Sequence, residues 1–171
     1  MKTVVAVFLA ISVSASSSRA EVYSDSIAGF SYNVPDDWVL KPVSGGKFKV
    51  AFGKVSEGEP ANVDIILTKC DHSLRSCLTE DLKDMAKAYE KSGYTDFRVI
   101  DTTPFETAQP QHGIKGTIEA KRPDGKRLRQ SLYFFEREDG SKFVVSCSAI
   151  DVGNKYDAIF DKILRSFRIT Q

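Results

Sequence analysis

The stretch LRQSLYFFEREDGSKFVVSCSAI, residues 128–150, decides the fold class of this chain. Its Asp139-Gly140 pair stands between two apolar runs, which is typical of a β-hairpin turn. The runs at 132–135 and 143–145 are apolar at successive positions, so both sides of each strand are apolar. Strands of this kind are covered on both faces of a sheet. The stretch therefore predicts a sheet with a layer of structure above it and another below.

The sequence on either side of this hairpin predicts further strands. Apolar residues alternate with polar ones at 30–34, 38–40, 48–52 and 63–67, with polar turns between them, including one at 56–60. Alternation resumes at 97–99 and 114–120, and the Pro-Asp-Gly segment at 122–126 is a strong turn signal. Most neighbouring strands are thus joined by short turns, as in an antiparallel sheet.

Two segments change to the helical period. Apolar residues follow one face of a helix at Leu82, Met85, Ala86 and Tyr89. We expect this helix to span 79–92, with Thr79 as N-cap and Gly93 as its stop. A second helical pattern runs from Asn154 to the end of the chain. Helices on a central antiparallel sheet made mainly from hairpins define an α+β protein.

The start of the chain has the features of a secretory signal peptide. Lys2 precedes an apolar run at 4–13, and small residues follow as far as Ala20. The run is shorter than the roughly 20 apolar residues that span a bilayer. We predict a signal peptide at 1–20, a single domain at 21–171 without a transmembrane segment, and a periplasmic, lumenal or secreted location. Cleavage after Ala15 and an uncleaved membrane anchor are the alternatives.

The charge of the chain argues against nucleic acid as a partner. The formal net charge is +1, and removal of residues 1–20 takes away Lys2 and Arg19, which gives +1 − 2 = −1. A near-neutral protein has no overall attraction to nucleic acid or to an anionic membrane. Any electrostatic contact must therefore come from a local patch.

The three cysteines suggest one bridge. Cys70 and Cys77 flank a short polar connector, and a disulfide between them would contribute about 2.5 kcal/mol by the chain-entropy relation, less any strain. Cys147 shares a strand face with Phe143 and Val145, so we expect a buried free thiol. A bridge to another chain and a metal site formed by Cys70, His72 and Cys77 are the alternatives.

The sequence contains no recognisable catalytic motif. It has no phosphate-binding loop and no Gly-x-Ser-x-Gly nucleophile elbow, and we expect neither a cofactor nor enzymatic activity. His72 and His112 are the only histidines that could act as general bases. His112 lies in a loop without a partner at fixed spacing. A hydrolase whose site is assembled from distant residues, His112 among them, remains an alternative.

One turn carries a cluster of cations, which we call the basic hairpin. Its five members are Lys121, Arg122, Lys126, Arg127 and Arg129. Only Asp124 opposes them within the turn. They could contact phosphate headgroups, an acidic protein or an anionic polymer of the cell envelope. Alternatively, their long side chains only keep an exposed sheet edge soluble.

Both ends of the exported part resemble a known family. The segment FSYNVPDDW, residues 30–38, is similar to the aromatic-x-aromatic-x-x-Pro-x-x-Trp opening of PsbP-like and DcrB-like extracytoplasmic domains. The segment ILRSF, residues 163–167, is similar to the Ser-Phe ending of their last helix. The resemblance implies an α/β/α sandwich, with Trp38 as a core plug and Phe167 as an anchor for the final helix. No motif supports transfer of the ion sites known in photosystem-associated members.

The resemblance also implies a function. Its members are mostly non-enzymatic accessory proteins, assembly factors or chaperone-like binders. We therefore expect an exported, non-catalytic accessory or binding protein of the cell envelope. Its expected partner is a protein or a membrane complex, contacted through the basic hairpin. A carrier of a small molecule or metal is the first alternative, and the hydrolase is the second.

Overall fold

A computed structural model describes residues 21–53 and 60–170. The predicted signal peptide at 1–20 lies outside the described residues, as does most of the predicted turn at 56–60. Within the described ranges, no helix is both long and apolar enough to cross a membrane.

The described residues form ten strands and two helices. In chain order these are β1 (Glu21–Asp25), β2 (Phe30–Val34), β3 (Val39–Pro42), β4 (Lys49–Phe52), β5 (Asn62–Lys69), α1 (Leu74–Lys91), β6 (Thr95–Glu106), β7 (His112–Lys121), β8 (Arg127–Glu136), β9 (Ser141–Ile150), α2 (Asp157–Arg165) and β10 (Arg168–Ile169). Seven of the strands form one antiparallel sheet in the order β3-β4-β5-β9-β8-β7-β6. The predicted α+β class is confirmed.

The hairpin at 128–150 lies near the middle of this sheet, as its double-sided apolar pattern predicts. Phe135 is paired with Phe143, and Phe134 with Val144, in the antiparallel register of β8 and β9. Gly140 closes the turn with a φ of 80°, a conformation that glycine adopts without steric cost. Successive side chains then point to opposite faces, so the two strands contribute to two separate cores.

Helix α1 covers one face of the large sheet. Its buried residues Leu78 and Leu82 pack on Ile118, Leu132 and Phe134. A Cβ atom added to Gly116 would lie 2.9 Å from the Leu78 side chain, so the helix can approach the strand closely only because this position is glycine. The first cover is therefore an apolar helix-on-sheet contact.

The opposite face is covered by α2 together with a second, small sheet. That sheet has the order β1-β2-β10 and is antiparallel throughout. The second core contains Phe160, Ile163 and Leu164 of α2, and Phe30 of β2. Fully buried Phe167 stacks on Phe135 and Phe30, with ring centroids 5.0 Å and 5.9 Å away.

A small second sheet is added to the predicted central sheet with helices on both faces. The strand at 30–34 exists as predicted, but it pairs with β1 and β10 rather than with the central sheet. Segments 21–25 and 168–169 have too few alternating apolar residues for their sequence to predict strands. Their pairing with β2 depends on contacts between opposite ends of the chain, which local patterns do not encode.

The first helix begins five residues earlier than predicted, so Thr79 is not its N-cap. The Ser73 hydroxyl accepts a hydrogen bond from the backbone N–H of Ser76 at 3.3 Å and is the cap. Thr79 instead donates its hydroxyl to the Arg75 carbonyl inside the helix. The first turn has no acidic residue, and Gly93, with a φ of 79°, follows the helix end as predicted.

The last helix is shorter than the predicted span from residue 154 to the end. It covers Asp157–Arg165, after which the chain forms β10 against β2. Ser166 ends it, donating its hydroxyl to the Ile163 carbonyl and accepting the backbone N–H of Asn33 at 2.8 Å. This link to β2 precedes the strand β10. The apolar residues keep a helical spacing, so the sequence pattern did not predict the end of the helix.

Two structural roles expected of single aromatic residues are confirmed. Trp38 is buried and packs edge-on against Tyr156 and Phe160. Phe167 lies in the second core directly after the final helix, where it anchors the chain. Cys147 is also buried and free, as its strand face predicted.

Candidate functional site

The basic hairpin is a well-ordered turn at one end of the large sheet. Lys121 and Arg127 are the last register pair of β7 and β8. The Arg122 N–H donates to the Lys126 carbonyl at 2.8 Å, and the Gly125 N–H donates to the Arg122 carbonyl at 3.0 Å. These hydrogen bonds fix the backbone, so the cations are presented from a defined position.

Arg129 of the basic hairpin is a structural cation. Its Nε and terminal N–H groups hold both carboxylate oxygens of Asp157 on α2, at 2.6–3.1 Å. Another terminal N–H donates to Glu119 at 2.7 Å, and the side chain is only 15% exposed. Arg129 thus joins α2 to β7 and β8, and it has little surface left for a partner.

Hydrogen bonds within this network shift the pKa values of Glu119 and Arg129 in the directions that favour their charged forms. A hydrogen bond from Arg98 at 2.6 Å, with the one from Arg129, lowers the pKa of Glu119 below its ordinary value. The bidentate bond to Asp157 raises the pKa of Arg129 above that of a free guanidinium. The network therefore stays ionised at neutral pH and acts as a set of structural ion pairs rather than as an acid–base site.

The other four cations differ in their availability. Arg122 forms an ion pair with Asp124 at 3.2 Å. Lys121 and Arg127 are exposed and Lys126 is half-buried, and none of the three forms an ion pair within 21–53 and 60–170. Fewer cations are therefore available to a partner than the five that define the basic hairpin.

Two hydrogen bonds between Arg127 and Asp151 hold the backbone at the exposed edge of the hairpin. The Arg127 backbone N–H donates to the Asp151 carboxylate at 2.7 Å, and the Asp151 N–H returns a bond to the Arg127 carbonyl at 2.8 Å. A shallow cavity of about 150 Å³ lies between these residues, Arg129 and Gly153. It is below the roughly 300 Å³ of an ordinary ligand pocket, so this end is better suited to a surface contact.

A second polar cluster lies inside the α2 layer. Asp161 accepts a hydrogen bond from Lys115 at 2.7 Å and another from the Tyr133 hydroxyl at 2.6 Å. Burial raises the pKa of Tyr133 far above its ordinary value, and burial also raises the pKa of the Cys147 thiol nearby. A buried neutral thiol is a poor nucleophile, so this cluster has a structural role.

The two histidines occupy separate exposed positions. The His112 imidazole is 85% exposed and lies 3.9 Å from Glu106. His72 lies 3.9 Å from Glu80. In the described part of the chain, neither imidazole forms a hydrogen bond with a serine or cysteine side chain. A nucleophile–base pair of the kind used by hydrolases is thus not formed among these residues.

Cys70 and Cys77 form a disulfide bond, as predicted. Their Cα atoms are 6.1 Å apart, within the ordinary range for such bonds. Bonded sulfurs cannot serve as thiolate ligands. Among residues 21–53 and 60–170, no group of three or more histidine, cysteine, aspartate or glutamate side chains could hold a metal ion.

Sequence reasoning missed a groove at the opposite end of the sheet. It has a volume of about 440 Å³ and lies between the β6–β7 turn, the β8–β9 turn and β10. Its lining includes Arg137 and Arg168, which are 31 positions apart and share no motif. Only the position of β10 beside β2 brings them together, so no local signal could have revealed it.

Comparisons with solved structures define the fold class. The described residues have the PsbP-like α+β fold. The solution structure of cyanobacterial PsbP (CyanoP) from Synechocystis sp. PCC 6803 matches with a TM-score of 0.63 and 16% identity, over 89% of this chain and 93% of that one. The predicted resemblance to PsbP-like domains is thereby confirmed at the level of the fold.

Two further solved structures have the same fold. The Ran-binding protein Mog1p of Saccharomyces cerevisiae matches at a TM-score of 0.59 and 12% identity, over 91% of this chain and 97% of its own. LpqN, involved in cell envelope biogenesis of Mycobacterium tuberculosis, matches at a TM-score of 0.56 and 17% identity. The match covers 89% of this chain and 86% of LpqN. Neither a protein-family model nor a curated protein sequence matches this chain.

Proposed function

We propose that this chain is an exported, non-catalytic accessory protein of the cell envelope that binds a protein or a membrane complex. The contact surface is the part of the basic hairpin without ion pairs in the described ranges, namely the exposed Lys121 and Arg127 with the half-buried Lys126. The observation that carries the proposal is the position of these three cations on a fixed turn, without an ion pair in the described ranges. Cations in that position favour an acidic surface on the partner.

The disulfide supports export. Disulfides persist in oxidising compartments and are rare in the reducing cytosol. Cys70 and Cys77 are bonded, and the pair closes the N-terminal turn of α1. A cleaved signal peptide at 1–20 accounts for how the chain would reach such a compartment. Intact mass of the exported protein tests this point, and we expect a mature chain that begins at Glu21.

The structural neighbours support a binding role. Mog1p is a Ran-binding protein, and LpqN is involved in cell envelope biogenesis. By analogy of fold alone, a PsbP-like domain serves as a platform for partners rather than as a catalyst. The isolated histidines and the buried Cys147 agree with a non-catalytic role.

The proposal is tested by capture of the partner in cells. Tagged protein with Lys121→Glu and Arg127→Glu is crosslinked in vivo and compared with wild type by quantitative mass spectrometry. Reversal of two exposed charges should reduce recovery of the main envelope partner at least about tenfold, because steering toward an acidic surface is lost. The effect should shrink in high salt, which screens exposed charges.

A matched control tests whether the change in net charge alone, rather than its position, reduces capture of the partner. Lys41→Glu with Lys69→Glu makes the same charge change at exposed positions of β3 and β5, away from the hairpin. This control should recover the partner as well as wild type does. Equal loss in both double variants, or unchanged capture by the hairpin variant in low salt, would remove the basic hairpin from consideration.

A further inference from the structure

The groove between the β6–β7 turn, the β8–β9 turn and β10 has the size of a small-ligand site. Its volume of about 440 Å³ falls within the roughly 300–1,000 Å³ of such pockets. The lining is mainly polar and includes Pro110, Gln111, Glu136, Arg137, Glu138 and Arg168. It lies at the end of the large sheet opposite the basic hairpin, so it is independent of the proposed contact surface.

Arg137 lines this groove, and one of its side-chain donors has no hydrogen-bond partner among the described residues. The guanidinium lies over the Phe143 ring, 5.5 Å from the centroid, and the side chain is only 17% exposed. Its buried Nε has no acceptor among the described residues. Its nearest carboxylate, Asp139, is 3.6 Å away, which is too long for a hydrogen bond.

Asp139 is already engaged elsewhere. It accepts hydrogen bonds from the Ser141 N–H at 2.9 Å and the Ser141 hydroxyl at 2.5 Å, which lower its pKa. Its role in closing the β8–β9 turn therefore accounts for its position. The charge of Arg137 is left only partly compensated, in contrast to Arg129 with its bidentate carboxylate.

Arg168 supplies a second guanidinium on the other wall. Its side chain is exposed and forms no ion pair within 21–53 and 60–170. Gln111 contributes a further donor, because its carbonyl oxygen accepts the Ile169 N–H at 3.3 Å and leaves its amide N–H₂ available. Guanidinium and amide donors around one groove suit the oxygens of a carboxylate or phosphate.

The acidic residues of the groove form no ion pair with Arg168 among the described residues. Glu136 is paired at 2.6 Å with Lys142, whose side chain is 2% exposed. That leaves Glu138 as the unpaired carboxylate against the two arginines. With Asp139 beside Arg137, the charges around the groove sum to zero, so attraction for an oxyanion depends on the donors of Arg137 and Arg168 themselves. Pro110 and Ile169 offer apolar surface for the remainder of a ligand.

We propose that this groove binds a small organic oxyanion, a carboxylate or a phosphate ester, through Arg137 and Arg168. The test is a titration of the purified protein with succinate and, separately, with glycerol 3-phosphate. Two-dimensional NMR follows the Arg137 Nε–H and the amides of Gln111, Gly140 and Ile169. We expect saturable shifts confined to these signals, and the ligand that binds more tightly identifies the oxyanion.

Variants make the assignment specific. Arg168→Gln alters an exposed side chain and should weaken binding by about tenfold to a hundredfold, the range of one charge-assisted hydrogen bond. Arg137→Gln should weaken it at least as much, while Arg75→Gln, an exposed α1 arginine, should leave it unchanged. Non-saturating shifts with both ligands, or equal affinity of Arg168→Gln and Arg75→Gln, would overturn the proposal. Either result leaves the basic-hairpin capture experiment unaffected.

Discussion

The two helices that cover the large sheet are held to it by different forces. Helix α1 has 18 residues, a serine cap and a disulfide at its first turn, and it packs through apolar side chains. Helix α2 has nine residues and no side-chain cap, and two of its carboxylates form ion pairs with the sheet. A short uncapped helix gains little from its own hydrogen bonds. Its position must therefore be fixed by tertiary contacts.

This difference assigns separate roles to the two layers. The α1 layer resembles a simple apolar interface, in which Leu78 is fully buried over Gly116. The α2 layer combines an aromatic core with the ion pairs of Arg129 and Lys115. It also connects the small sheet to the large one through Phe167. We expect perturbations of the α2 layer to affect the whole fold and perturbations of the α1 terminus to remain more local.

Phe167→Ala should have the largest effect. The ring is fully buried and stacks between Phe30 of the small sheet and Phe135 of the large one. Its removal should lower the free energy of unfolding by about 4 kcal/mol, as for other buried aromatic truncations. Urea unfolding measures this directly. A loss no larger than that of Leu78→Ala in the α1 layer would contradict the central role of the α2 layer.

Arg129→Gln should come next. It leaves the partly buried carboxylates of Asp157 and Glu119 without their shared cation, for which we expect a loss of about 3 kcal/mol. Adding Asp157→Asn should recover part of that loss in a double-mutant cycle. Asp84→Asn breaks an ion pair on α1 whose partners are both 77% exposed, and it should cost less than about 0.5 kcal/mol. An equal loss of unfolding free energy for Arg129→Gln and Asp84→Asn would contradict the claim that ion pairs hold α2 but not α1.

Loss of the disulfide should act mainly on α1. Replacing Cys70 and Cys77 by serine should lower the free energy of unfolding by about 2.5 kcal/mol, the loop-closure entropy of a short loop. Hydrogen exchange should speed up in the first turns of α1 and stay unchanged in α2. Faster exchange in both helices would show that the two layers are coupled, against our expectation.

Alkaline pH should weaken the α2 layer by the smallest amount. Burial raises the pKa of Cys147 above its ordinary value of 9.0, so the folded state favours the neutral thiol. That stability is complete below pH 9 and is lost as the pH rises, by about 1 kcal/mol from pH 9 to pH 10. Cys147→Ala should reduce this pH slope. An unchanged slope would assign the alkaline loss to the buried tyrosines Tyr32 and Tyr133, whose pKa values burial also raises.

The sequence revealed the elements whose patterns are local. The hairpin at 128–150, the turn with Gly125 and the body of α1 follow from periodicity and turn residues, and the structure agrees. The disulfide and the buried Cys147 also followed from spacing and strand face. Local patterning suffices here because each feature is decided by residues close together in the chain.

The remaining features depend on long-range contacts. The small sheet joins residues from both ends of the described chain, and the true cap of α1 was hidden because Ser73 lies in the short, mainly polar connector between Cys70 and Cys77. At the basic hairpin, composition identified five cations but could not show that Asp157 holds Arg129. That carboxylate lies 28 positions away, so only the docked position of α2 reveals which cations remain exposed.

Site-specific photocrosslinking at the basic hairpin tests the proposed function most directly. A photoreactive residue replaces Arg127 in one strain and Lys41 of β3, which is also exposed, in another. We predict a discrete crosslinked product with one envelope partner from position 127, weakened by Lys121→Glu, and none from position 41. A product from position 41 alone, or from neither position while intact protein is exported, would contradict the assignment of the hairpin as the contact surface.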